Sequence, residues 1–167
     1  MSTLITTTLQ GINTIKRDAS TTAMTIDASG RVTLPQRVAF MGKKTDVATL
    51  SANTSTNITF NATDLAHAAW NGTTFTAPVA GLYRLFINGH KQTADNNPME
   101  LAILVNGSVI ETGYILGVSN CRPRVSVDSL TVLAVSDAVT FRILQGDTYA
   151  GGSVNSSGLM CSGYLIG

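Results

Sequence analysis

Charge is the scarcest commodity in this chain. Only 13% of its 167 residues are charged, about half the usual share of roughly 25%, and aromatic residues make up only 6%. Eleven basic residues face ten acidic ones, and no basic run is longer than Lys16-Arg17 or Lys43-Lys44. That balance leaves no electrostatic footprint for nucleic acid or for an anionic membrane surface, so neither is expected as a partner. Hydrophobic residues nevertheless reach 44%. A compact monomer of this mass exposes about 7,900 Å², which so few charges cover thinly. The surface must be rich in Thr, Ser and Asn, or part of it must be buried against partners, as in obligate assemblies.

Long apolar runs are also missing, and nothing approaches the roughly 18 to 20 residues of a membrane span. The start, Met1-Ser2-Thr3-Leu4-Ile5-Thr6-Thr7-Thr8, lacks the basic residues, apolar middle and cleavage site of a signal peptide, which predicts a chain that is not exported. The two cysteines, Cys121 and Cys161, are therefore expected as reduced, packed thiols. Asn53, Asn57, Asn61, Asn71, Asn106 and Asn155 each open an N-x-Ser/Thr triplet, but without export these are products of a Thr- and Asn-rich composition. Catalytic equipment is equally thin. There is no Gly-x-Ser-x-Gly elbow, the only imidazoles are His67 and His90, and no His, Cys or carboxylate pair has metal spacing. Asp95, Asp137 and Asp147 read as solvated turn acids rather than a calcium loop. No enzymatic activity, metal or cofactor is expected.

What the chain has instead is period-two alternation broken by turn residues, with no sustained helical period. Residues 23–27 and 31–34 alternate around Ala28-Ser29-Gly30, which reads as a hairpin with Gly in the left-handed position. Residues 1–22 before it read as a Thr-rich extended arm, and Pro35 closes the appendage. Residues 38–40 read as a first strand of the main domain, residues 43–56 as a polar connection and residues 57–60 as a short edge strand. A loop at 65–71 and a strand at 73–77 follow. Asn106-Gly107 between apolar runs is a strong hairpin signal. Ser136-Asp137 separates two further strands, and a last strand spans 159–166. Tyr83, Leu85 and Ile87 alternate with Leu82, Arg84 and Phe86, so this strand is apolar on both faces, as suits a subunit contact. The expected fold class is all-β, an antiparallel jelly-roll sandwich of about eight to ten strands. The expected division is an arm and hairpin at 1–35 and the jelly roll at 36–167.

Four motifs carry a family resemblance. They are Ile58-Thr59-Phe60-Asn61, Phe75-x-x-Pro78-x-x-Gly81-x-Tyr83, Leu104-Val105-Asn106-Gly107 and Ser162-Gly163-Tyr164-Leu165-Ile166. In this order, from Phe40 to the end of the chain, the sequence resembles the globular heads of complement-one-q and the tumour necrosis factor cytokines. The resemblance implies a jelly roll that trimerises about a threefold axis, with Tyr83, Leu85, Phe86, Ile87 and Tyr164 as trimer-interface candidates. Two departures stand out: Ser136-Asp137 replaces the family's Gly-Asp turn, and no Gly-X-Y stalk precedes the domain. The segment 22–33 instead resembles hairpins of bacteriophage tail-fibre and virion proteins. Met24, Ile26, Val32 and Leu34 are then the anchoring candidates, and Trp70, Asn96, Tyr114 and Tyr149 are candidates for ligand loops.

The implied role is non-enzymatic: a homotrimeric capsid decoration or cement protein of a phage virion, assembled in the host cytoplasm. Its arm would dock to the major capsid protein or another virion protein. The alternative is the receptor-binding tip of a short tail fibre or spike, binding host glycan through the loops around Asp95-Asn96-Asn97 and Tyr114.

Overall fold

A computed structural model describes residues 13–34, 37–45, 48–50, 54–65, 68–90, 98–116, 123–145, 152–154 and 158–166. The chain divides between Arg37 and Val38 into two compact units. In the first, β1 (Thr14–Lys16), β2 (Thr22–Ile26) and β3 (Val32–Thr33) form an antiparallel sheet in the order β1-β2-β3. The hairpin expected from sequence is there, with Gly30 at φ 78°. Residues 14–22 correct the expectation of an unpatterned arm, because they add β1 through a second hairpin. Its bend is built on Asp18, whose Oδ1 accepts from the amides of Thr21 (2.7 Å) and Ser20 (3.0 Å). No alternation of apolar residues announces such a strand.

The second unit contains β4 (Ala39–Lys44), β5 (Ala48–Leu50), β6 (Thr54–Asn57), β7 (Ala62–Leu65), β8 (Thr74–Thr76) and β9 (Gly81–His90). These are followed by β10 (Met99–Val105), β11 (Ser108–Ile115), β12 (Arg124–Leu133), β13 (Ala138–Gln145), β14 (Gly152–Val154) and β15 (Leu159–Leu165). A front sheet has the order β12-β9-β15-β4-β7, and a back sheet runs β11-β10-β13-β6 with β8 also on β13. Every pairing is antiparallel, and no α-helix occurs among the described residues. The architecture is an all-β jelly-roll sandwich. The polar connection expected at 43–56 is corrected: β5 pairs β14, and β6 adds to the back sheet beside β13. Ile58 and Phe60, expected in an edge strand, lie outside any strand and drop their side chains into the core, 3% exposed each.

That core is aromatic at its centre. Phe40 stacks between Trp70 and Phe75, with ring centroids 4.7 and 4.6 Å apart. Phe60 and Phe141 close the cluster edge-on at 5.9 Å. Offset stacks of this kind add about 0.5 to 1.5 kcal/mol each beyond burial alone. Gly163, on β15, lies directly under the Phe40 ring. A Cβ added there would stand 2.5 Å from Phe40 Cε1, so the glycine of the closing motif is a packing requirement. In the second motif, Phe75 packs on Tyr83 with centroids 5.7 Å apart. The Tyr83 hydroxyl donates to Val79 O at 2.8 Å and ties the Pro78 turn to the strand that leaves it.

At one end of the back sheet two turns interlock. Asn106 and Gly107 have φ of 51° and 80°, as a two-residue hairpin turn demands. Asn106 Nδ2 donates to Asp137 Oδ1 (2.8 Å), and Asn106 Oδ1 accepts from the Ala138 amide (2.9 Å). Asp137 Oδ2 in turn accepts from the Ala134 amide (2.7 Å). Ser136 sits in this turn at φ 73°, so the family's glycine position keeps a glycine-like backbone although its residue is serine.

Candidate functional site

The front sheet presents one face to the core and the other outward, and strand register decides which residues go where. On β9, Tyr83, Leu85 and Ile87 are each 0% exposed and pack in the core with Val125, Val127 and Leu133 of β12. Their assignment to a trimer contact is therefore corrected, since a residue fully covered within one chain has no area left for a neighbour. Leu82, Arg84 and Phe86 turn outward, as do Met160, Ser162 and Tyr164 of β15. Ser126, Asp128, Leu130 and Val132 do the same on β12. Of the five interface candidates, Phe86 and Tyr164 lie on this face.

Cross-strand pairing sets these side chains in rows. Val132 opposes Leu82; Leu130 opposes Arg84, which opposes Tyr164; and Asp128 opposes Phe86, which opposes Ser162. Leu130, Val132 and Ile166 are 64%, 76% and 51% exposed. Charged side chains or edge protection normally blunt a sheet surface that meets water, and contiguous apolar patches on soluble chains mark contact sites. Two depressions lie on this face. One of about 500 Å³ is lined by Arg84, Asp128, Leu130, Tyr164 and Ile166, and one of about 240 Å³ by Arg84, Phe86, Ser162 and Tyr164.

Among these apolar residues a polar pair spans β12 and β9. Arg84 Nε donates to both oxygens of Asp128 at 3.0 and 3.1 Å, and Arg84 Nη2 donates to Oδ2 as well. The Arg84 guanidinium holds the Asp128 carboxyl below the usual carboxylate range. Asp128 and Tyr164 both hydrogen-bond Arg84 and raise its already high pKa. At the far end of the same sheet Lys43 pairs with Asp64.

The other candidates are scattered. Trp70 is corrected from a ligand loop to the core: it is 7% exposed and pressed between Phe40 and the backbone of Gly42. Tyr114, on β11 of the back sheet, is 60% exposed and stands opposite Glu100. Glu100 lies 3.6 Å from Arg142. Asn96 and Tyr149 fall outside the described residues, as do His67 and Cys121. In the first unit Met24 and Ile26 are half-buried, while Val32 and Leu34 are 57% and 53% exposed. Met24 pairs with Ile15, and Ile26 with Val32, which lines these apolar side chains along one face of the small sheet. Cys161 is a buried free thiol whose pKa burial pushes far above its ordinary value, which leaves it a packing residue. No group of three His, Cys, Asp or Glu side chains converges on a metal-sized site among the described residues.

Sequence reasoning missed Arg84, Asp128, Leu130, Val132 and Ile166. The alternation of Val125 and Val127 with Ser126 and Asp128 was the available signal, and it fades at Leu130 and Val132, where the outward positions turn apolar.

No protein-family model and no characterised protein matches this chain by sequence. The fold does have solved counterparts. The globular domain of zebrafish complement 1qA superposes with a TM-score of 0.62 at 16% identity, covering 79% of this chain and 98% of that one. Murine APRIL at pH 5.0 gives 0.60 at 11%, with 78% and 100% covered. The Eiger tumour necrosis factor of S. frugiperda gives 0.53 at 7%, with 78% and 93% covered. The chain has the complement-one-q and tumour necrosis factor type of jelly roll.

Proposed function

We propose that this chain is a non-enzymatic structural protein that assembles as a homotrimer through the outward face of the front sheet and decorates a bacteriophage head. The observation that carries the self-association is the exposure of Leu130, Val132 and Ile166 beside a 500 Å³ depression. Leu130 and Val132 stand on β12, the strand at the sheet's edge, whereas the second depression lies over β9 and β15 nearer its middle. An exposed apolar strand edge and a hollow nearer the middle of the sheet favour a head-to-tail contact, which can close into a ring. Three copies per ring is what the family resemblance supports.

The virion role rests on the resemblance of residues 22–33 to phage hairpins. It gains support from the apolar row Ile15, Met24, Ile26 and Val32 on a sheet far too small to hold a core of its own. That unit is the anchor, docking to the major capsid protein or another virion protein. Sedimentation of the purified chain tests the trimer. Binding of the trimer to empty heads, and its loss when residues 1–35 are removed, tests the anchor.

The exposed Tyr114 beside Glu100 favours one second reading, a receptor-binding tip that stacks host glycan on the tyrosine ring. Recombinant trimer that competes with whole virus for host adsorption would favour the tip. Absence of competition together with head binding would favour the decoration protein.

A further inference from the structure

The Arg84–Asp128 pair is oddly placed for a solubilising surface ion pair. It bridges the edge strand β12 and its neighbour β9 within the apolar part of the front face, with Leu130, Phe86 and Tyr164 as its cross-strand neighbours. Arg84 and Tyr164 also line both depressions. The other charges of this face among the described residues, Lys43, Asp64 and Arg124, lie away from this pair. The two side chains are 47% and 41% exposed in the single chain, and a partner seated in the depressions would cover what remains.

Resting on the self-association proposed above, we infer that the Arg84–Asp128–Tyr164 cluster sets the register and copy number of the contact, the partner being a second copy of this chain. An apolar face alone is permissive, since Leu130 and Val132 would gain nearly as much from any greasy hollow they met. A charge pair inside that face is not. Its burial is tolerated only where the guanidinium and carboxylate keep their mutual bonds and the neighbour fits around them. Polar residues inside apolar contacts fix register and oligomer state in this way, at a cost in affinity. Asp128 satisfies Arg84 within its own chain, so the pair enters the contact without net charge. Tyr164 steadies the guanidinium from the β15 side.

Two variants of the full chain test this by sedimentation equilibrium and single-particle mass measurement, with circular dichroism as the folding control. Both positions point away from the core, so the jelly roll folds in each. Asp128→Asn strips Arg84 of its countercharge, and a desolvated pair then loses association by about 30-fold or more. A pair that stays wet in the assembly loses less than about 5-fold, a result that would overturn the inference. Replacing both residues, Arg84→Leu with Asp128→Leu, keeps association at least as tight but yields dimers and larger species beside trimers. A double variant that forms one homogeneous trimer would also overturn it. A parent chain that is monomeric at micromolar concentration refutes the self-association itself, independently of either variant.

Discussion

The alternation of inward and outward residues on β12 separates folding from the proposed assembly within a single dipeptide. Val132 is 76% exposed and Leu133 is 0% exposed. Burying a Leu or Val side chain completely stabilises by about 1.5 to 3 kcal/mol. Covering the exposed fractions of Leu130 and Val132, 64% and 76%, is therefore worth about 2 to 4 kcal/mol at each contact of a ring. Replacing both with Asp removes that gain and brings two carboxylates to a surface that must be desolvated. In a ring of three, every contact is lost at once, and the half-dissociation concentration follows the square root of the overall constant. The midpoint of the Leu130→Asp/Val132→Asp variant should accordingly rise at least about 100-fold. Sedimentation velocity over a dilution series reads it directly.

The companion substitution is Leu133→Ala, one residue along. It leaves a cavity beside Tyr83 and should cost the fold about 2 to 5 kcal/mol, seen as a fall in Tm, while any trimer that survives keeps its copy number. Folding of the Asp variant is checked by circular dichroism and by the emission of Trp70, which is held in the core at 7% exposure. If the Asp variant stays trimeric at the parent's midpoint, the front face is not the contact. If it unfolds, the register that turns Leu130 and Val132 outward is wrong.

Three further outcomes are expected. Ser136→Gly should stabilise the chain by about 0.5 to 1 kcal/mol, because φ 73° strains a residue with a Cβ, and glycine's extra chain entropy offsets only part of that relief. Calorimetry showing no rise in Tm would refute the strain. Gly163→Ala should destabilise by about 1 to 3 kcal/mol by overpacking, and a smaller residue at Phe40 in the same chain should return part of the loss, a coupling that a double-mutant cycle measures. In the first unit, backbone hydrogen bonds from Thr21 and Ser20 hold the Asp18 carboxyl below its usual range. Those from the Arg31 amide and then the Arg31 side chain do the same for Asp27. A depressed folded-state pKa gives stability that is present above the unfolded value of about 3.9 and lost as pH falls through the lower folded value. Amide exchange at Ser20, Thr21, Ser29 and Arg31 should therefore gain protection, relative to the intrinsic rate, as pH rises through the acid range towards the ordinary carboxylate value. Asp18→Asn and Asp27→Asn should flatten that dependence at their own hairpins.

How legible the fold was depended on whether its signal was local. Asn106-Gly107 and Gly30 announce positive φ by composition alone, and the backbone has it at all three. The long apolar strands β9, β12, β13 and β15 were legible for the same reason, as was the all-β class. Strands whose existence depends on a partner were not: β6 is Thr54-Ser55-Thr56-Asn57, without one apolar residue, and it is a strand because β13 offers it an edge. Trp70 looked like a loop aromatic because nothing nearby in sequence shows that Gly42 leaves room for its ring. Three of the five interface candidates, Tyr83, Leu85 and Ile87, failed on parity. Along residues 82–87 apolar side chains stand on both faces, so period two cannot say which set is the core. Only the pairing of β9 with β12 decides, by placing Tyr83, Leu85 and Ile87 on the side of Val125, Val127 and Leu133. Once that side is the core, the second apolar set faces away from it. On the proposed self-association, the low charge of the sequence and the exposed row on the front face have one explanation, since a surface covered by copies of itself has no need of solvating charges, except for the pair inferred to fix where those copies stop.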